Sequence, residues 1–152
     1  MIQRIQSIYL LIATSLVTLS LFMNWSTYVV EGAGFMLSGL KCSVEGVSST
    51  PLTMAIIVGA GLILITLFGY KNRKTQMNLA VVTIIQLLLI MGLFGFVHYT
   101  ALKTLKSNFT EEVGTGYGIA IILPLIACVL VWLARKQIKK DDDLVKSVDR
   151  LR

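Results

Sequence analysis

His98 is the single histidine of this 152-residue sequence, and it stands next to Tyr99. An imidazole can titrate near neutral pH or ligate a metal. Ligation needs convergent donors, and no Cys, Asp or second His lies within helical reach of position 98. A hydrogen-bonded histidine at a helix end is the expectation. Glu111 and Glu112 are the next candidates, but adjacent side chains diverge on a helix or a strand, so they cannot close on one reacting centre as an acid–base pair. The four aspartates, Asp141, Asp142, Asp143 and Asp149, all lie near the C-terminus, so the sequence assembles no Ser/His/Asp set around His98. Cys42 and Cys128 fall at different depths of any layered arrangement and are read as reduced thiols that pack. Asn108-Phe109-Thr110 fits the glycosylation pattern, which three residues match too readily to carry weight. These readings predict no catalytic residue, no metal, no cofactor and no enzyme activity.

Gly114-Thr115-Gly116-Tyr117-Gly118 resembles the threonine, glycine and tyrosine signature of potassium-channel filters. A filter requires a re-entrant loop braced by a pore helix, and this run leads directly into an apolar segment. Glycines serving a flexible turn are the expectation.

The elements that must position these residues are set by hydropathy. Four windows carry no charged side chain: 5–30, 46–70, 75–102 and 113–134. Each is long enough to cross a bilayer, where the chain must satisfy its own backbone hydrogen bonds. The predicted fold is an all-α membrane protein, a four-transmembrane-helix bundle over residues 1–135, with helices at about 6–25, 52–70, 76–100 and 118–135. A cytoplasmic basic and amphipathic tail follows over 136–152. Phe22-Met23-Asn24-Trp25 offers no small-x-small cleavage site, so the first window is read as a span and not as a cleaved leader. In the connection after it, β-branched and aromatic runs, Thr27–Val30 and Phe35–Leu37, flank Gly32-Ala33-Gly34. That pattern predicts a small β-element in the first outer loop, to which Cys42-Ser43-Val44 could add a strand.

The net charge of +6 is distributed in a way that argues against nucleic acid. Of the 14 basic residues, all but Lys41, Lys103 and Lys106 precede the first window, link the second to the third, or follow the fourth. By the positive-inside rule both termini are cytoplasmic. The four glutamates fall on the opposite side. Tyr9, Tyr70 and Trp132 near one boundary, and Trp25, Tyr28, Tyr99 and Tyr117 near the other, suit the interfacial preference of aromatic rings.

Within the spans, Ala55 and Gly59 form a small-x-x-x-small pair that admits a neighbouring backbone. Gln86 needs a hydrogen-bond partner in hydrocarbon and should face another helix. Pro124 removes an intrahelical donor and frees the Ala120 carbonyl, so a kink is expected. In the tail, Leu144, Val145, Val148 and Leu151 fall on one helical face. Lys136, Lys139 and Lys140 form a basic cluster suited to anionic lipid or to a partner.

The opening Met1-Ile2-Gln3-Arg4-Ile5-Gln6-Ser7-Ile8-Tyr9-Leu10-Leu11 and the ending Asp143-Leu144-Val145-Lys146-Ser147-Val148-Asp149-Arg150-Leu151-Arg152 resemble those of a small bacterial membrane-protein family described as domain of unknown function 4293. The resemblance covers the whole chain and implies a four-helix inner-membrane protein of Bacteroidota-type bacteria, with no activity, cofactor or catalytic residue to carry over. The functional expectation is an accessory or structural subunit of a larger membrane complex, whose partners are the bilayer and a membrane protein or a second copy, and not nucleic acid. The alternative is a small oligomeric transporter or channel for an uncharged substrate.

Overall fold

The computed structural model describes residues 2–69 and 72–149, with side chains over 5–69 and 72–145. The expectations for Arg4, Tyr70, Lys71, Lys146, Val148, Arg150, Leu151 and Arg152 fall outside the described side chains. The fold is mostly helical: α1 (Ile2–Ser20), α2 (Thr50–Phe68), α3 (Arg73–Asn108) and α4 (Ile122–Asp149), with strands β1 (Asn24–Val30), β2 (Ala33–Ser38) and β3 (Gly114–Tyr117). Among the described residues, three helices, α2, α3 and α4, are long and apolar enough to cross a membrane. α1 packs against α4 and α2, and α3 against α2 and α4. Leu10, Ala13 and Val17 of α1, Leu52, Ile56 and Ile63 of α2, Leu87 and Ile90 of α3, and Ala127 and Val131 of α4 are buried in one core.

The helix boundaries depart from the expected ones for local reasons. α1 stops at Ser20 and does not continue to 25. Leu21 and Phe22 donate to Thr18 and Leu19 in i→i−3 bonds of 3.1 Å, which tighten the last turn. The Trp25 indole then donates to the Ser20 carbonyl at 2.9 Å, giving a helix-end acceptor its partner. α2 begins with Pro51 in its first turn, where a missing N–H costs nothing. α3 opens on Asn72, whose side chain accepts from the Thr75 N–H at 3.3 Å. It runs past the expected end at Thr100 to Asn108, because Val97, Ala101 and Leu105 extend the buried stripe. α4 continues unbroken through the segment expected to be a separate tail.

Two expectations are corrected. The glycine run is no flexible turn: Gly114–Tyr117 is a strand that pairs antiparallel with β1, so the sheet has order β2-β1-β3 and draws on both connections at this end. Pro124 is not a mid-helix interruption. A 3-10 turn, Ile119–Ile121, precedes α4, which starts at Ile122, so the proline occupies the first turn and removes no established hydrogen bond.

The β1–β2 hairpin turns at Glu31 and Gly32, with φ of 52° and 78°, the positive pair that a type I′ turn requires. The bridge from Leu37 to Cys42 extends the β2 edge by one contact. Opposite it, Gly118 donates to the Trp25 carbonyl at 2.9 Å. A Cβ at Gly118 would sit 1.8 Å from the Asn24 carbonyl oxygen, whereas one at Gly34 would meet nothing within 4 Å. Gly118→Ala is therefore expected to lower stability in detergent by about 1–3 kcal/mol or more, through displaced backbone. Gly34→Ala should stay within about 0.5 kcal/mol. Thermal unfolding of both variants followed by circular dichroism checks the contrast, and equal effects would refute it.

Candidate functional site

β1 presents alternate residues to the helices. A register shift between Asn24 and Ser26 lets Trp25, Ser26 and Tyr28 all turn inward, and all three are fully buried. α3 brings Phe94 and His98, one helical turn apart, against this face. The Ser26 hydroxyl donates to the Tyr28 phenol at 2.8 Å, and the phenol lies 2.8 Å from His98 Nδ1. With serine donating, the phenol's single proton goes to Nδ1, which assigns the neutral ring its Nε2–H tautomer. The imidazole is packed among the rings of Tyr28, Phe94 and Tyr117, with centroids 5.4, 5.6 and 5.5 Å away. The Trp25 ring packs tilted against Phe94, with centroids 5.2 Å apart.

Burial pushes the Tyr28 phenol above its usual value, while the Ser26 hydrogen bond works against the shift. The phenol thus stays protonated and keeps donating at neutral pH. Ser26 Oγ is 3.4 Å from His98 Nδ1, a spacing that invites comparison with a nucleophile and its base. Its proton is committed to Tyr28, however, and no carboxylate is hydrogen-bonded to the imidazole among the described residues. The cluster's chemistry is that of a latch between sheet and helix. Glu111 and Glu112 lie apart from it, in an open depression shared with Lys106 and Phe109.

The residues singled out in the spans fall into separate places. Ala55, Gly59 and Gln86 meet at the α2–α3 contact. The Gln86 amide donates to the Ala55 carbonyl at 3.1 Å, and a Cβ on Gly59 would come within 3.1 Å of Ile90. Nearer the loop between these helices, Gln76 donates to the Thr66 carbonyl at 3.1 Å. Pro124 is buried at the start of α4. Lys136, Lys139 and Lys140 are exposed along α4, with Lys136 Nζ 5.7 Å from the Trp132 ring centroid. Leu144 and Val145 are about half exposed.

At the opposite end from the sheet is a contact that sequence reasoning missed. Gln6 Nε2 donates to an Asp141 carboxylate oxygen at 2.5 Å, and Arg73 Nη1 donates to the Asp141 carbonyl at 3.0 Å. One residue of α4 thereby joins the opening turns of α1 and α3. The available signal was the position of Gln6, which precedes Leu10, Ala13 and Val17 on one buried helical stripe. For the latch, the signal was the period-two placement of Ser26 and Tyr28.

Among the described residues, no group of three or more His, Cys, Asp and Glu side chains could hold a metal ion. Burial pushes the Cys42 thiol up, against a hydrogen bond from the Val44 backbone.

Two outcomes follow. In a double-mutant cycle, Tyr28→Phe and His98→Phe should be non-additive by about 1 kcal/mol in unfolding experiments, since either change alone breaks the same hydrogen bond. Additive losses would dissolve the latch. In a Cys128→Ala background, Cys42 should alkylate more slowly at pH 7 than an unperturbed thiol. Its rate should still be rising with pH above the ordinary thiol range, because only the thiolate reacts. A rate plateau below pH 8 would contradict this.

The model of a family described as a domain of unknown function, DUF4293, matches residues 2–151. No curated protein matches the chain.

Proposed function

We propose that this chain, which belongs to the DUF4293 family, is a four-span membrane protein of the bacterial inner membrane that serves as a non-enzymatic accessory subunit of a larger assembly. α1 joins the other three helices as a span: its 19 residues rise about 28 Å, close to the hydrocarbon thickness of roughly 30 Å. The distribution of basic residues favours both termini on the cytoplasmic side, with the sheet facing outward.

The observation that carries the subunit reading is how the helices use their polar side chains. Gln76 and Gln86 are spent on backbone carbonyls, Thr66 and Thr83 on their own helices, and Gln6 on Asp141. Among the described residues, no buried side-chain nitrogen or oxygen lacks a partner. A permeation path needs polar groups facing a wet cavity, whereas an interior closed in this way leaves the outer surfaces for contact with other molecules. Those surfaces are the β3 edge and the end of α4.

The test uses the full chain in a Cys42→Ala, Cys128→Ala background. An impermeant thiol reagent should label Ser107→Cys from outside the cytoplasmic membrane and should leave Asp143→Cys unlabelled. A photo-crosslinker at Val145 should attach one defined membrane protein, which also co-purifies in mild detergent. The reverse labelling pattern would overturn the orientation. A dispersed monomer with no cross-linked chain would overturn the subunit reading. Solute flux in liposomes that is lost in Gln86→Leu would replace it with a transport function.

A further inference from the structure

The face of α4 turned away from the bundle repeats Trp132, Lys136, Lys139 and Lys140 at i, i+4, i+7 and i+8, which places the four on one side. The opposite side carries Val131, Ala134 and Ile138, all buried. The depth of the basic face is set by Asp141. Gln6 near the opening of α1 and Arg73 at the opening of α3 both bond to it, so Asp141 stands level with the helix ends. Lys136 precedes Asp141 by five residues and therefore lies roughly 7 Å further along the helix toward the middle of the bundle. Lys136 thus stands beside the apolar surface and Lys139 and Lys140 close to the level of Asp141, with Trp132 a turn further in, where interfacial tryptophans anchor.

Their exposed ammonium groups extend toward the headgroup layer, where the phosphates of anionic lipid lie. Asp143, one turn beyond Lys139, supplies a single carboxylate against three cations on this face, which stays net positive. Lys136 bends back over the Trp132 ring, and between ring and lysines the apolar and cationic parts of the face follow the order of a lipid's acyl chain and phosphate. We propose that the α4 face formed by Trp132, Lys136, Lys139 and Lys140 binds the headgroup of an anionic phospholipid. The site rests on the membrane reading above but not on the subunit role.

The test is native mass spectrometry of the full chain in mild detergent, titrated with phosphatidylglycerol or with phosphatidylcholine of the same acyl chains. Each basic side chain near a membrane surface favours anionic lipid about fivefold. The wild-type chain should therefore hold phosphatidylglycerol at least tenfold more tightly, and Lys136→Gln/Lys139→Gln/Lys140→Gln should lose that preference. Lys41→Gln/Lys103→Gln/Lys106→Gln, which removes the same charge at the sheet end, should keep it. Single Lys139→Gln should fall between wild type and the triple variant, a readout that survives if the triple variant folds poorly. Equal affinity for both lipids, a preference retained in the α4 triple variant, or equal losses in both triple variants would each overturn the site. Release of the wild-type chain from membranes by alkaline carbonate would instead sink the membrane reading itself.

Discussion

Trp25 is the residue on which the sheet end depends. Its indole N–H closes α1 by donating to the Ser20 carbonyl, its ring packs against Phe94 of α3, and its backbone carbonyl accepts from Gly118 just before the 3-10 turn that leads into α4. One fully buried side chain and its peptide therefore tie together the end of α1, α3 and the turn that leads into α4. A buried indole needs a partner for its single donor, and the helix end needs a donor for its orphan carbonyls. Each requirement meets the other at 2.9 Å. The Ser26–Tyr28–His98 latch follows from this placement, since the register shift that turns Trp25 inward also aims Ser26 and Tyr28 at α3.

The opposite end is organised by a different kind of contact. Asp141 accepts through both its carboxylate and its main-chain carbonyl, from Gln6 and Arg73. The two ends thus divide the work: aromatic packing around one hydrogen-bonded chain at the sheet, and charge-assisted hydrogen bonds where α1 and α3 open against α4. Between them the helices meet through small or fully satisfied side chains, such as Gly59 against Ile90 and Gln86 on Ala55.

Apolar runs and their flanking charges were enough to anticipate the helices, because composition over some 20 residues is a local property. The hairpin was legible for the same reason, with β-branched and aromatic residues on both sides of a glycine. β3 was not. Gly114-Thr115-Gly116-Tyr117 contains two residues of poor strand propensity, and only pairing with the distant β1 makes it a strand. Pro124 was misread because its effect depends on where the helix starts, and the preceding 3-10 turn moved that start to Ile122. Gln6 sat on a recognisable stripe, but its partner lies 135 residues away, a separation across which periodicity carries no information.

That separation also orders the assembly of the molecule. α2 and α3 are joined by a tight link and can pair as soon as both exist, whereas the surface of α1 that carries Gln6, Leu10, Ala13 and Val17 finds its main partner only in α4. During synthesis from the N-terminus α1 emerges before α2 and α3, and α4 after them, so α1 stays without its native α4 contacts while the middle hairpin forms. α4, which leaves the ribosome after α1, α2 and α3, is thus the helix that closes the bundle, and a chain stalled before Asp141 carries an amide at Gln6 whose carboxylate partner has yet to be made.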